Sequence, residues 1–135
     1  MKEVLEDWIR KAEGDFNTAS REIKITERVN YDIVCILCQQ CVEKYLKAFQ
    51  IYTIDDFSWG HSLVELLESC IRVDNSFEFV RFECSELNGF MRLRYPADFA
   101  QKDDAQRALR YTKVVRKFIR EKLGLTKQKS TKKKK

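Results

Sequence analysis

The sequence predicts an all-α protein, an antiparallel up-and-down bundle of four to five helices. Three observations carry that prediction. Apolar residues recur at spacings of three and four along most of the chain, the period of a helix with one buried face. Gly and Pro are scarce, at four and one, too few for the tight turns of an all-β chain. Hydrophobic residues make up 44% of the 135 residues, enough for one core in one domain.

The first helix is expected from about Val4 to Ile25. Leu5, Trp8, Ile9, Ala12, Phe16, Ala19 and Ile23 form its apolar stripe. Gly14 lies inside it, at a cost near 1 kcal/mol relative to Ala, and reads as a place where another helix approaches closely. Residues 26–30 are a polar connection. Tyr31–Gln50 contains no Gly and no Pro and reads as a long central helix. Its first half, Ile33–Cys38, is apolar on every side, which predicts burial among neighbours. In its second half Gln39, Gln40, Glu43, Lys44, Lys47 and Gln50 gather on an arc of about 140°. Cys41, Val42, Tyr45, Leu46, Ala48 and Phe49 fill the opposite arc. Asp32 is placed to cap or open this helix with negative charge.

Residues 51–60 mix β-branched, aromatic and turn residues and read as the helix end and an irregular loop. A third helix from about Ser62 to Ile71 puts Leu63, Leu66, Leu67, Cys70 and Ile71 on one face, and Asp74, Asn75 and Ser76 form a turn. The fourth helix is expected from Phe77 to about Leu93, with Phe79 or Val80, Cys84, Leu87 and Met91 on its apolar side. It ends near Arg94, because Pro96 pushes Tyr95 out of the helical region. Asp103 and Asp104 open a fifth helix, which runs to Gly124, a residue suited to the position just past a helix end.

The net charge of +5 belongs to the C-terminus. The last nine residues hold six Lys and no acid; without them 20 basic residues face 21 acidic ones, a net of −1. The chain therefore divides into a helical domain over residues 1–125 and a Lys-rich tail over 126–135. The tail reads as a solvated, disordered end, with non-specific attraction to phosphate backbones as the other use.

Five Cys in a chain that opens with acids rather than an apolar signal argue for reduced thiols and the cytoplasm. No apolar run approaches the 18 or more residues of a membrane span. Cys35-x-x-Cys38-x-x-Cys41 has a metal-site spacing, but on a helix the three thiols fan across about 120°. They read as packing, and neither a metal nor a cofactor is expected.

His61 is the single histidine. Imidazole titrates near neutrality, so His61 is a candidate general acid or base, but no nucleophile can be paired with it. Capping the third helix is its other reading. The segment Arg92-Leu-Arg-Tyr-Pro96 is sharper. Arg92 and Arg94 sit at a helix end, and a guanidinium offers five donors to a phosphate. Tyr95 can stack on a base. Alternatively the two arginines cap the last carbonyls of the fourth helix or pair with Asp98 and Asp103.

Four segments in order carry a resemblance: Trp8-Ile-Arg-Lys-Ala-Glu-Gly-Asp15, Gln40-Cys-Val-Glu-Lys-Tyr-Leu-Lys-Ala48, His61-Ser-Leu-Val-Glu-Leu-Leu67 and Arg94-Tyr-Pro96. Together they resemble a stand-alone HEPN domain over about Val4 to Leu123. The resemblance implies a bundle of four or five helices paired as a homodimer. It also implies nucleotide or RNA binding, and partnership with a small nucleotidyltransferase in a toxin–antitoxin-like system. Many HEPN proteins are metal-independent ribonucleases with an Arg followed four to six residues later by a His. Here Pro96–Gln101 contains no His, so the resemblance points to an accessory, non-enzymatic branch. Arg92, Arg94 and Tyr95 carry over as phosphate and base contacts. Gln40, Glu43, Lys44 and Lys47 lie in the family-like segment and are candidates for a dimer or partner face, or for plain solvation. A ribonuclease with His61 as a nonstandard base and a purely structural homodimer are the alternatives.

Overall fold

Helical periodicity becomes five α-helices in the computed structural model, which describes residues 2–125. The Lys-rich tail expected over 126–135 lies outside the described residues. The helices are α1 (Lys2–Glu22), α2 (Tyr31–Ile54), α3 (Leu63–Val73), α4 (Arg81–Asn88) and α5 (Lys102–Lys122). Among the described residues there is no strand, and no helix is long and apolar enough to cross a membrane.

The bundle is built around α2, which packs on all four other helices. α1 runs antiparallel to it: Glu22 accepts from the Asn30 N–H at the shared end, and Asp15 meets Lys44 further along. α3 and α4 are antiparallel too, with Leu63 N–H donating to Asn88 and Arg81 reaching Glu68. One carboxylate ties three helices together. Glu13 on α1 accepts from Arg116 Nε and Nη2 on α5, both at 2.7 Å, and from the Tyr45 hydroxyl on α2. Arg120 in turn donates to the Tyr45 oxygen at 3.0 Å. Burial alone would raise the Glu13 pKa. The hydrogen bonds from Arg116 and Tyr45 together outweigh burial and hold it below the ordinary carboxylate value.

Several boundaries differ from expectation for identifiable reasons. The cap of α2 is Asn30, whose Oδ1 accepts from Ile33 N at 2.9 Å. Asp32 is instead spent on the far loop, accepting from Ala100 N at 2.6 Å. α2 continues to Ile54, where Asp55 in the left-handed region (φ 58) ends it. Gly14 is exposed and a Cβ there would meet nothing within 4 Å, so no helix uses it for close approach. The expected fourth helix is three pieces: a 3-10 helix over Asn75–Val80, then α4, then a second 3-10 helix over Gly89–Arg94. Three residues per turn put Phe77 with Val80, and Phe90 with Leu93, on single faces, and all four are buried. At the end of α5, Gly124 (φ 77) and the Leu125 N–H bonded to Arg120 O close the helix by a left-handed turn.

The burial of α2 departs in part from the sequence expectation. Val34, Cys35 and Cys38 are buried as expected. Ile33, Ile36 and Leu37 in the apolar half are only half-buried. In the other half the polar residues Gln39, Glu43, Lys47 and Gln50 are buried. All five cysteines are free and buried in the core. Burial pushes the thiols of Cys35, Cys38, Cys70 and Cys84 up to about 12, and raises that of Cys41 as well.

Candidate functional site

What buries the polar stripe is the chain itself. After α2 the segment 55–62 doubles back along the helix it has just left. A segment without regular structure needs partners for its backbone groups, and the stripe supplies two of them. Gln50 holds Ser58 with both ends of its amide: Ser58 N donates to Oε1 at 3.0 Å and Nε2 donates to Ser58 Oγ at 3.2 Å. About three turns back along α2, Gln39 Nε2 donates to His61 O at 3.3 Å. Between them Glu43 Oε2 meets His61 Nδ1 at 2.8 Å and Lys47 Nζ at 3.1 Å.

Aromatic rings fasten the same segment to α1. Phe57 packs edge-on against Trp8 with centroids 5.1 Å apart, and Trp59 continues the row 4.9 Å from Phe57. The Lys47 ammonium lies beneath, 5.6 Å from the Trp8 ring and 5.7 Å from Phe57. With 4% of its side chain exposed, it is a buried cation held by one carboxylate and two ring faces.

These groups enclose a pocket of about 460 Å³, within the usual size of a small-molecule site. Trp8, Phe57 and Trp59 form its aromatic side; Gln40, Glu43, Lys44, Lys47 and His61 line the rest, and Arg94 closes it from the end of the second 3-10 helix. His61 and Arg94, remote in sequence, therefore share one cavity. The His61 side chain is 61% exposed, and Trp59, at 81%, is the most exposed large hydrophobic among the described residues.

The arginine segment separates into distinct roles. Arg92 donates to Gly89 O at 3.1 Å and lies over the Phe90 ring, the capping role that was its alternative. Arg94 is exposed, and its guanidinium has no hydrogen-bond or ion-pair partner among the described residues. Asp103 and Asp104 pair with Arg107 rather than with Arg92 or Arg94. Tyr95 is 68% exposed and stands outside the pocket lining. Of the four residues expected on an open face of α2, Glu43 and Lys47 are buried beneath the returning segment, while Gln40 and Lys44 are half-buried in the pocket wall. Lys44 is paired with Asp15 at 2.6 Å. Trp8, Phe57 and Trp59 were absent from the sequence-derived site. The signal in the sequence was the pair Phe57 and Trp59 in an irregular loop; Trp8 was legible only as part of the apolar stripe of α1.

Among the described residues no three His, Cys, Asp or Glu side chains are grouped so as to hold a metal ion.

The fold and this pocket define a small all-α bundle with one aromatic and cationic cavity on its side. The HEPN domain model matches residues 5–122, and the chain belongs to the HEPN domain family. A solved structure, TT1696 from Thermus thermophilus, shares the fold with a TM-score of 0.71 and 24% sequence identity, covering 87% of this chain and 97% of that one. Comparison with curated proteins gives no match.

Proposed function

We propose that this protein is a nucleotide- or RNA-binding module whose ligand seats in the pocket between Trp59 and Arg94. The observation that supports it most is the pairing in one cavity of an exposed indole with a guanidinium that has no internal partner. Stacking on an aromatic face contributes about 1–3 kcal/mol per base. A guanidinium suits the two oxygens of a phosphate. Titration with adenosine and uridine monophosphates, followed by calorimetry, tests the reading. Trp59→Ala and Arg94→Ala are each expected to weaken binding by about tenfold or more, from the magnitudes of stacking and charge-assisted hydrogen bonds. Absence of binding at millimolar ligand would refute it.

The likeness to its family adds two partners to this proposal, a second copy of the chain and a small nucleotidyltransferase in a toxin–antitoxin-like system. Sedimentation of the chain alone and with a nucleotidyltransferase encoded beside it tests both.

RNA cleavage is the second reading, favoured by the Glu43–His61 contact in the cavity that Arg94 lines. A carboxylate-oriented imidazole is what a general base requires. Turnover of single-stranded RNA that disappears in His61→Ala would establish it, and intact RNA after prolonged incubation with wild type would dismiss it.

A further inference from the structure

The cations of the pocket are unequal. Lys44 is committed to Asp15 at 2.6 Å, and Lys47 to Glu43 at 3.1 Å and to two ring faces. Only Arg94 among the three carries a charge with no partner among the described residues. One guanidinium accommodates one phosphate group. The second and third phosphates of a triphosphate would find no unpaired cation in this wall, and charge desolvated without gaining a partner is costly.

His61 adds a second constraint. Its Nδ1 faces Glu43 Oε2 at 2.8 Å, and the same oxygen receives Lys47. A carboxylate held by an ammonium is ionised and can only accept, so Nδ1 must carry the proton. In the neutral ring Nε2 is then an acceptor, on a side chain 61% exposed at the pocket. An acceptor does not welcome a phosphate oxygen. It welcomes a hydroxyl or an amine.

Taking the nucleotide reading above as its base, we infer that the pocket selects a ribonucleotide unit with a single phosphate: Arg94 takes the phosphate, and His61 Nε2 accepts a hydrogen bond from a ribose hydroxyl. Glu43 is a positioning residue that fixes the imidazole tautomer. The unit can be a free nucleoside monophosphate or one residue of single-stranded RNA, since the chemistry is shared.

Calorimetric titration of wild type, Arg94→Ala and His61→Ala with adenosine, AMP, dAMP, ATP, hexaadenylate RNA and its DNA counterpart tests the inference. Wild type is expected to bind AMP at least about tenfold tighter than either adenosine or ATP. AMP is expected to exceed dAMP by roughly two- to tenfold, the worth of one hydrogen bond. Arg94→Ala should erase the advantage of AMP over adenosine, and His61→Ala the advantage of ribose over deoxyribose. RNA tighter than AMP identifies an internal phosphodiester as the source, and AMP tighter than RNA a free nucleotide; both support the single-phosphate unit. ATP binding as tightly as AMP, or dAMP as tightly as AMP, overturns the inference in wild type alone, whatever the variants do to folding. If no nucleotide binds, the broader reading fails with it; if nucleotides bind without these preferences, only this inference fails.

Discussion

Removing the Glu43 carboxylate while keeping its bulk, as Glu43→Met, isolates a buried charge. Glu43 and Lys47 expose 11% and 4% of their side chains, so the pair is shielded from water and salt. Breaking such a pair by deleting one partner costs about 3–5 kcal/mol, because the remaining ion stays desolvated without compensation. The Trp8 and Phe57 ring faces remain beside the Lys47 ammonium and offset part of the loss, about 1 kcal/mol. The expected cost is therefore about 2–4 kcal/mol, a large part of the roughly 5–15 kcal/mol that stabilises a typical domain. Urea unfolding followed by circular dichroism measures it. The double variant Glu43→Met/Lys47→Met removes both charges and is expected to return to within about 1–2 kcal/mol of wild type, since apolar replacement of a buried pair is often neutral. Repeating the series at high salt should change little, because buried pairs are poorly screened. A single-variant loss below about 1 kcal/mol, or a double variant as unstable as the single one, would refute the argument.

Three further outcomes follow from other parts of the bundle. Glu13 has a depressed pKa in the fold, so its contribution is complete above the ordinary glutamate value of about 4.3 and is lost as pH falls through the lower folded value. Glu13→Gln should therefore be less stable than wild type at neutral pH, with the gap closing in acid; thermal melts across pH 2–7 (a range of roughly five units) check this, and a constant gap contradicts it. Gly14→Ala should raise stability by about 0.5–1 kcal/mol, because the site is helical, exposed and open to a Cβ; unchanged or lower urea midpoints would show a contact there. The five buried thiols, with pKa values raised by burial, should react with a disulfide reagent only as fast as the protein opens. Fast labelling of any cysteine in native conditions would contradict that burial.

The pocket also separates paired cations from unpaired ones. Lys44 and Lys47 look equivalent in the sequence, one turn apart on the same arc. In the fold one is tied to α1 through Asp15 and the other is sealed under Phe57 and Trp8. Neither supplies a ready charge to an incoming anion. Arg94 does, because the 3-10 ending of its segment brings it to the cavity while Arg92 turns back to the Gly89 carbonyl.

Much of the architecture was legible because it is local. Periodicity located α1, α2, α3 and α5, and Pro96 with Gly124 marked two ends through restrictions on single residues. The breaks around α4 were not legible. A 3-10 turn and an α turn differ by one residue in hydrogen-bond register, and Phe77–Val80 and Phe90–Leu93 suit either spacing until the core position is known. The capping of α2 by Asn30 rather than Asp32 turned on a loop far along the chain, where Ala100 N needed an acceptor.

The same division governs the site. The residues His61, Arg92, Arg94, Glu43 and Lys47 stood out by type and pattern, and the family followed from short motifs in order. Periodicity gave the phase of the polar stripe on α2, since side-chain direction around a helix depends on backbone geometry alone. It could not give what covers that stripe. That depends on the segment 55–62 folding back, held by Gln50, Gln39 and Glu43 and by the rings of Trp8, Phe57 and Trp59. Sequence determined the helices and the chemical kinds of side chain they carry. Only the tertiary structure decided that a stripe fit for solvent becomes the floor of a pocket, because burial is a property of neighbours distant in the chain.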